Sequence, residues 1–113
     1  MSFEVKTTPH FEREAKILAK RYKSFKSDLK ELVEDLAKDP KIGTELSPGL
    51  RKIRLAIVSK GKGKSGAHVS SRLRYVLPKL KVRVYLVDVY DKSDYSTVSV
   101  PVLKKMIAEL DIL

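Results

Sequence analysis

The sequence contains no cysteine in 113 residues and only two histidines. The first absence excludes a disulfide framework, thiolate zinc sites and cysteine nucleophiles, and it fits a reducing compartment. The second means that a two-histidine ribonuclease mechanism would require His10 and His68 to meet. No apolar run approaches the roughly 20 residues that cross a bilayer, and Met1-Ser2-Phe3-Glu4-Val5 lacks the basic-then-apolar order of a secretory signal. A cytoplasmic chain with no membrane partner is therefore expected. Paired carboxylates, a serine triad and clustered metal ligands are also missing. Glycosidase, hydrolase and metalloenzyme readings have nothing to stand on, and no cofactor or metal is expected.

Acidic residues are scarce in one place. The chain carries 24 Lys+Arg against 14 Asp+Glu, a formal net charge of +10. Residues 1–48 hold 10 basic and 9 acidic side chains, residues 49–90 hold 11 basic and only Asp88, and residues 91–113 hold 3 basic and 4 acidic. The middle segment therefore carries the whole excess. Charge serving solubility alone would be scattered, whereas a protein facing a polyphosphate needs its cations on one surface, where they displace condensed counterions. The length fits one domain. A composition of 42% apolar and 34% charged residues suits a globular fold that buries roughly two-thirds of its unfolded surface.

The apolar periods set the order of elements. Phe3 and Val5 alternate with polar residues as in a short half-buried strand. Thr8-Pro9 supplies a capping hydroxyl and a first-turn proline, and Phe11, Ala15, Leu18 and Tyr22 then form one helical stripe. A second stripe, Phe25, Leu29, Leu32, Val33 and Leu36, stops at Asp39-Pro40. Beyond Gly43 the period becomes alternating. Strands are predicted over 51–58, 67–77 and 81–90, the last nearly continuous in Val, Leu and Tyr, as in a strand covered on both faces for part of its length. Ser99 and Pro101 open a last helix with Val102, Leu103, Met106, Ile107 and Leu110 on its apolar face. The expected fold is α+β: strand, two helices, three strands, helix, with the two N-terminal helices and the C-terminal helix against one face of a small antiparallel sheet.

If the helices cover Ile53 and Leu73, then Arg54, His68, Arg72 and Arg74 emerge together on the open face, beside the loop 59–66 with Lys60, Lys62 and Lys64. A one-residue slip would reverse this. Gly61, Gly63 and Gly66 match a dinucleotide fingerprint literally, but that motif needs a helix after it, and 67–77 reads as a strand. Lysines alternating with glycines suit an irregular RNA backbone or ribosomal surface better. Cations near His68 favour a neutral imidazole able to accept a proton. The segment Val89-Tyr90-Asp91-Lys92-Ser93-Asp94-Tyr95 collects a phenol, carboxylates and an ammonium at a strand end, where sites gather on small sheets.

The run from Leu50-Arg51-Lys52-Ile53-Arg54 through Lys60-Gly61-Lys62-Gly63-Lys64-Ser65-Gly66, Arg72-Leu73-Arg74-Tyr75 and Val84-Tyr85-Leu86-Val87-Asp88-Val89-Tyr90-Asp91-Lys92-Ser93 resembles the RelE/HigB-type toxins of bacterial toxin–antitoxin modules, over nearly the whole chain. The resemblance implies a single toxin domain over 1–113, with the fold of the microbial ribonucleases. It implies cleavage of messenger RNA in the ribosomal A site, and a cognate antitoxin that covers the basic surface. By position, Lys60, Lys62 and Lys64 match the loop lysines, Arg72 or Arg74 the phosphate-clamping arginine, and Asp91-Lys92 the polar pair ending the last strand, while Tyr95 is nearest to the C-terminal tyrosine. Attack by a ribose 2′-hydroxyl needs a base, cations for the phosphorane and an acid for the leaving oxygen. The expected catalytic set is accordingly Lys62, Lys64, His68, Arg72, Asp91, Lys92 and Tyr95, with Arg54, Lys60 and Arg74 binding RNA. The alternatives are a non-catalytic or topoisomerase-poisoning member of the same fold, and a generic basic RNA-binding protein.

Overall fold

A computed structural model describes residues 3–58, 70–78, 83–91 and 98–112. The elements run β1 (Glu4–Thr7), α1 (Pro9–Arg21), α2 (Phe25–Lys38), β2 (Thr44–Ser47), β3 (Leu50–Ala56), β4 (Ser70–Val76), β5 (Arg83–Asp91) and α3 (Val100–Leu110). The strands form one mixed sheet in the order β1-β5-β4-β3-β2. β1 pairs with β5 in parallel, and the other neighbours are antiparallel. Among the described residues no helix is long and apolar enough to cross a membrane.

The capping chemistry of α1 also docks it. Thr8 is extended, with Pro9 in the first turn, and its Oγ1 accepts from the Phe11 N–H at 3.3 Å. The same hydroxyl donates to the Leu86 carbonyl at 3.0 Å, so the start of the helix is tied to β5. Tyr22, Lys23 and Ser24 connect α1 to α2. So short a link folds the two helices back on each other as a hairpin. α2 ends at Lys38, and Asp39 is its extended C-cap, as expected of a residue before proline, where helical geometry is disfavoured.

The core has two parts, one on each side of the sheet. Phe11 and Leu18 of α1 and Phe25, Leu32 and Leu36 of α2 pack with Leu55, Leu73, Tyr75, Val84, Leu86 and Val89. Leu103 and Ile107 of α3 pack with Leu50, Val76 and Val87. The expectation that all three helices share one face is thereby corrected: α3 lies on the opposite face from the hairpin. A helical stripe states which side of a helix is apolar but not which surface it meets. The continuous apolar run of β5 required cover on both faces, and α3 supplies the second cover. The sheet also has a strand the alternation did not reveal, β2, a short edge strand joined to β3 through Gly49 at φ 83°.

One irregularity decides which side chains share a face. The β4–β5 register shifts between Arg74 and Tyr75, whose partners are Asp88 and Leu86. The extra residue, Val87, makes a bulge. Leu86 and Val89, three positions apart, therefore both reach the helical-hairpin side. A regular strand would place them on opposite faces.

Candidate nucleic-acid interface

Two cross-strand rows occupy the sheet face on which α3 packs. Arg54 of β3 is paired with Arg72 of β4, and Arg72 with Tyr90 of β5. In the neighbouring row Lys52 is paired with Arg74, and Arg74 with Asp88. Cross-strand neighbours hold their Cβ atoms within about 5.5 Å. Three strands thus bring four cations and one carboxylate onto a single surface. α3 covers this face through Leu50, Val76 and Val87, whereas Arg54 is exposed and Lys52, Arg72 and Tyr90 are half-buried.

The two arginines of β4 have different surroundings. Arg74 is 4% exposed. Its Nε donates to Asp88 Oδ1 at 2.8 Å, and its Nη2 donates to the second carboxylate oxygen and to the Val98 carbonyl at 2.7 Å. Its guanidinium also sits 5.0 Å from the centroid of the Tyr90 ring. The expected exposure of Arg74 beside Arg72 is corrected here. The sole carboxylate of residues 49–90 is spent on Arg74, because burying a guanidinium requires a hydrogen-bonded counter-charge. Arg72, by contrast, has a buried Nη1 with no hydrogen-bond partner among the described residues. A guanidinium nitrogen removed from water and left unpaired is costly, and an anion arriving at this face would relieve that cost.

Asp91 does not join these cations. It follows Val89 onto the hairpin side, where the Tyr22 hydroxyl donates to its Oδ2 and Arg21 Nη1 lies 3.7 Å away. The carboxylate is 1% exposed. Burial pushes the Tyr22 phenol above its ordinary value, and the hydrogen bond to Asp91 adds to the shift. Asp91 thus anchors the end of α1 to the end of β5.

Lys60, Lys62, Lys64, His68, Lys92 and Tyr95 lie outside the described residues. Of the expected site residues, Arg54 and Arg72 are brought together, Arg74 lies on the same face but is buried and paired, and Asp91 lies on the other. Lys52 and Tyr90 join the face, though neither was among the expected site residues. The alternation Lys52-Ile53-Arg54 already placed Lys52 beside Arg54, whereas Tyr90 required the register of β5 against β4.

A mixed five-stranded sheet with an N-terminal helical hairpin on one side and a C-terminal helix on the other is similar to the solved structures of Escherichia coli RelE, so the protein has a RelE-like fold. No family model matches the sequence. The free form of an Escherichia coli RelE variant with two arginines changed to alanine is similar over 100% of both chains, with a TM-score of 0.60 at 18% identity. Isolated E. coli RelE is similar over 96% of this chain and 99% of its own, with a TM-score of 0.60 at 17% identity. The intact E. coli RelBE toxin–antitoxin complex contains a chain similar over 82% of this one and 100% of its own, with a TM-score of 0.59 at 18% identity.

Proposed function

We propose that the protein is the toxin of a toxin–antitoxin module, a single catalytic domain over residues 1–113 that cuts messenger RNA on the ribosome. The observation that carries the reading is the pairing of Arg54 with Arg72 on the Lys52 side of the sheet, with a nitrogen on Arg72 that has no partner among the described residues. The RelE-like fold and the cations concentrated in residues 49–90 support it. Arg72 holds the scissile phosphate and the charge that builds on it as the 2′-oxygen attacks, and Arg54 and Lys52 align the flanking backbone. Proton transfer falls to Lys62, Lys64, Lys92 and Tyr95, which the family resemblance supplies, and to His68, whose place among cations favours a neutral imidazole, with Lys60 on the RNA backbone. Asp91 contributes by fixing the strand end from which Lys92 follows in sequence.

A cognate antitoxin covers the same face in the cytoplasm, since an acidic chain and an RNA phosphate are attracted by one set of cations. Induced expression is expected to arrest growth, with toeprinting showing cuts inside translated codons and Arg72→Gln abolishing both. Growth arrest with intact messenger RNA and induced DNA-damage signalling would instead identify a topoisomerase poison, and undisturbed growth would remove the toxin reading.

A further inference from the structure

Tyr90 stands out because the chemistry above does not use it. It directly follows Arg72 across the β4–β5 ladder, on the face with Arg54, and is half-buried. Its ring is held from one side by the Arg74 guanidinium, 5.0 Å from the centroid. That guanidinium is itself fixed by both oxygens of Asp88 and by the Val98 carbonyl. The ring is thus supported by a cation whose position is set by a buried pair.

From this juxtaposition we infer that Tyr90 is a base-stacking residue, and that Tyr90 with Arg72 forms a one-nucleotide subsite for single-stranded RNA. The inference rests on the proposed reading of the face as an RNA-binding surface. Single-stranded nucleic acids are held by cations that follow the phosphates and by aromatic rings that take the bases. Arg72 and Tyr90 are ladder partners on adjacent strands, whose backbones run about 4.8 Å apart. That is within the reach of one nucleotide, so its base can settle against the phenol. The supporting guanidinium strengthens this contact in two ways. It saves the ring from being ordered only when RNA arrives, and its charge polarises the ring that receives the base. Stacking grows with the π surface of the base, so the subsite favours a purine. Asp88, neutralised by Arg74, presents no free negative charge to repel the phosphate.

The test uses the full chain and two fluorescein-labelled RNA hexamers, oligo(A) and oligo(U), titrated by fluorescence anisotropy at several salt concentrations. Wild type is expected to bind oligo(A) several-fold more tightly. Tyr90→Leu should lose roughly 5- to 150-fold of its oligo(A) affinity, the range for one stacked base, with its salt dependence unchanged and its purine preference gone. Tyr90→Phe should keep the preference, because stacking needs the ring and not the hydroxyl. Arg72→Gln should weaken both hexamers alike and reduce the salt slope by about 0.7. Circular dichroism and a thermal melt check that each variant is folded. A folded Tyr90→Leu protein with unchanged oligo(A) affinity overturns the subsite, as does a wild type that binds neither hexamer or binds both equally. RNA binding is read here without cleavage, so a chain that stacks purines through Tyr90 but leaves messenger RNA intact supports the subsite while removing the nuclease reading.

Discussion

Arg74 of β4 and Asp88 of β5 are ladder partners that meet side chain to side chain, with Nε and Nη2 of the guanidinium each donating to one carboxylate oxygen. Both residues are almost fully buried, at 4% and 2% exposure. The pair occurs beside the bulge at Val87, and it divides the basic segment into a cation committed to the fold and others left facing outward.

Removing one partner leaves a buried charge uncompensated, so Arg74→Leu or Asp88→Leu alone should each cost about 3–5 kcal/mol of stability. The double leucine variant should recover most of that loss, since a well-packed apolar replacement of a buried pair is often neutral. Urea denaturation of the three variants measures this directly. A double-variant loss equal to the sum of the two single losses would show that the pair is not coupled.

Arg72→Gln should behave in the opposite way. With no partner for its Nη1 among the described residues, its replacement breaks no bond and relieves the cost of that unpaired nitrogen, so stability should stay level or rise. If Arg72 meets the charge of the phosphorane, cleavage should fall about 10²- to 10³-fold. Urea denaturation and ribosome-bound messenger RNA cleavage on the same preparation separate the two effects.

Tyr22→Phe removes the hydroxyl that donates to buried Asp91. Hydrogen bonds to charged groups contribute about 1.5–3 kcal/mol, and a loss in that range is expected. Because the bond joins the end of α1 to the end of β5, hydrogen exchange should quicken at both places.

Alkaline pH should destabilise the fold through two phenols. Burial raises both Tyr22 and Tyr75 above the ordinary tyrosine value of 10.0. A raised folded value means that the folded chain retains protons the unfolded chain has released. The stabilisation is therefore complete below about pH 10 and lost as pH climbs through the folded values. Urea midpoints between pH 8 and 11 should fall above pH 10, and less steeply in Tyr22→Phe. A pH-independent midpoint would contradict the burial of these rings.

Gly43→Ala should be costly despite its conservative appearance. A Cβ there would come within 2.6 Å of the Lys52 carbonyl oxygen and 2.8 Å of the Tyr75 hydroxyl. The hydroxyl donates to the Pro40 carbonyl at 2.7 Å and accepts from the Gly43 N–H at 3.2 Å. A methyl group would break that junction between the α2–β2 connection and β4. The melting temperature should fall by several degrees, since about 1 kcal/mol shifts a domain of this size by roughly 4–8 °C.

Much of the architecture was legible because its causes are local. Thr8-Pro9 and Asp39-Pro40 bound the helical hairpin through backbone sterics and capping, which act within a few residues. Ile53, Leu55 and Ile57 share a face by alternation alone, so Lys52 and Arg54 had to share the other. The sparse Thr44-Glu45-Leu46-Ser47 carried too little alternation to announce β2, which exists because β3 offers it an edge.

What the sequence by itself determined is the set of elements other than β2, the concentration of cations in residues 49–90 and the common face of Lys52 and Arg54, each following from composition or a local period. Tertiary structure alone decided the rest. The side on which α3 packs, the bulge that brings Asp88 under Arg74, the turn of Asp91 toward Tyr22 and the adjacency of Arg72 to Tyr90 all depend on strand register and helix docking. Those are set by burial and pairing between distant segments, and no period within either segment records them.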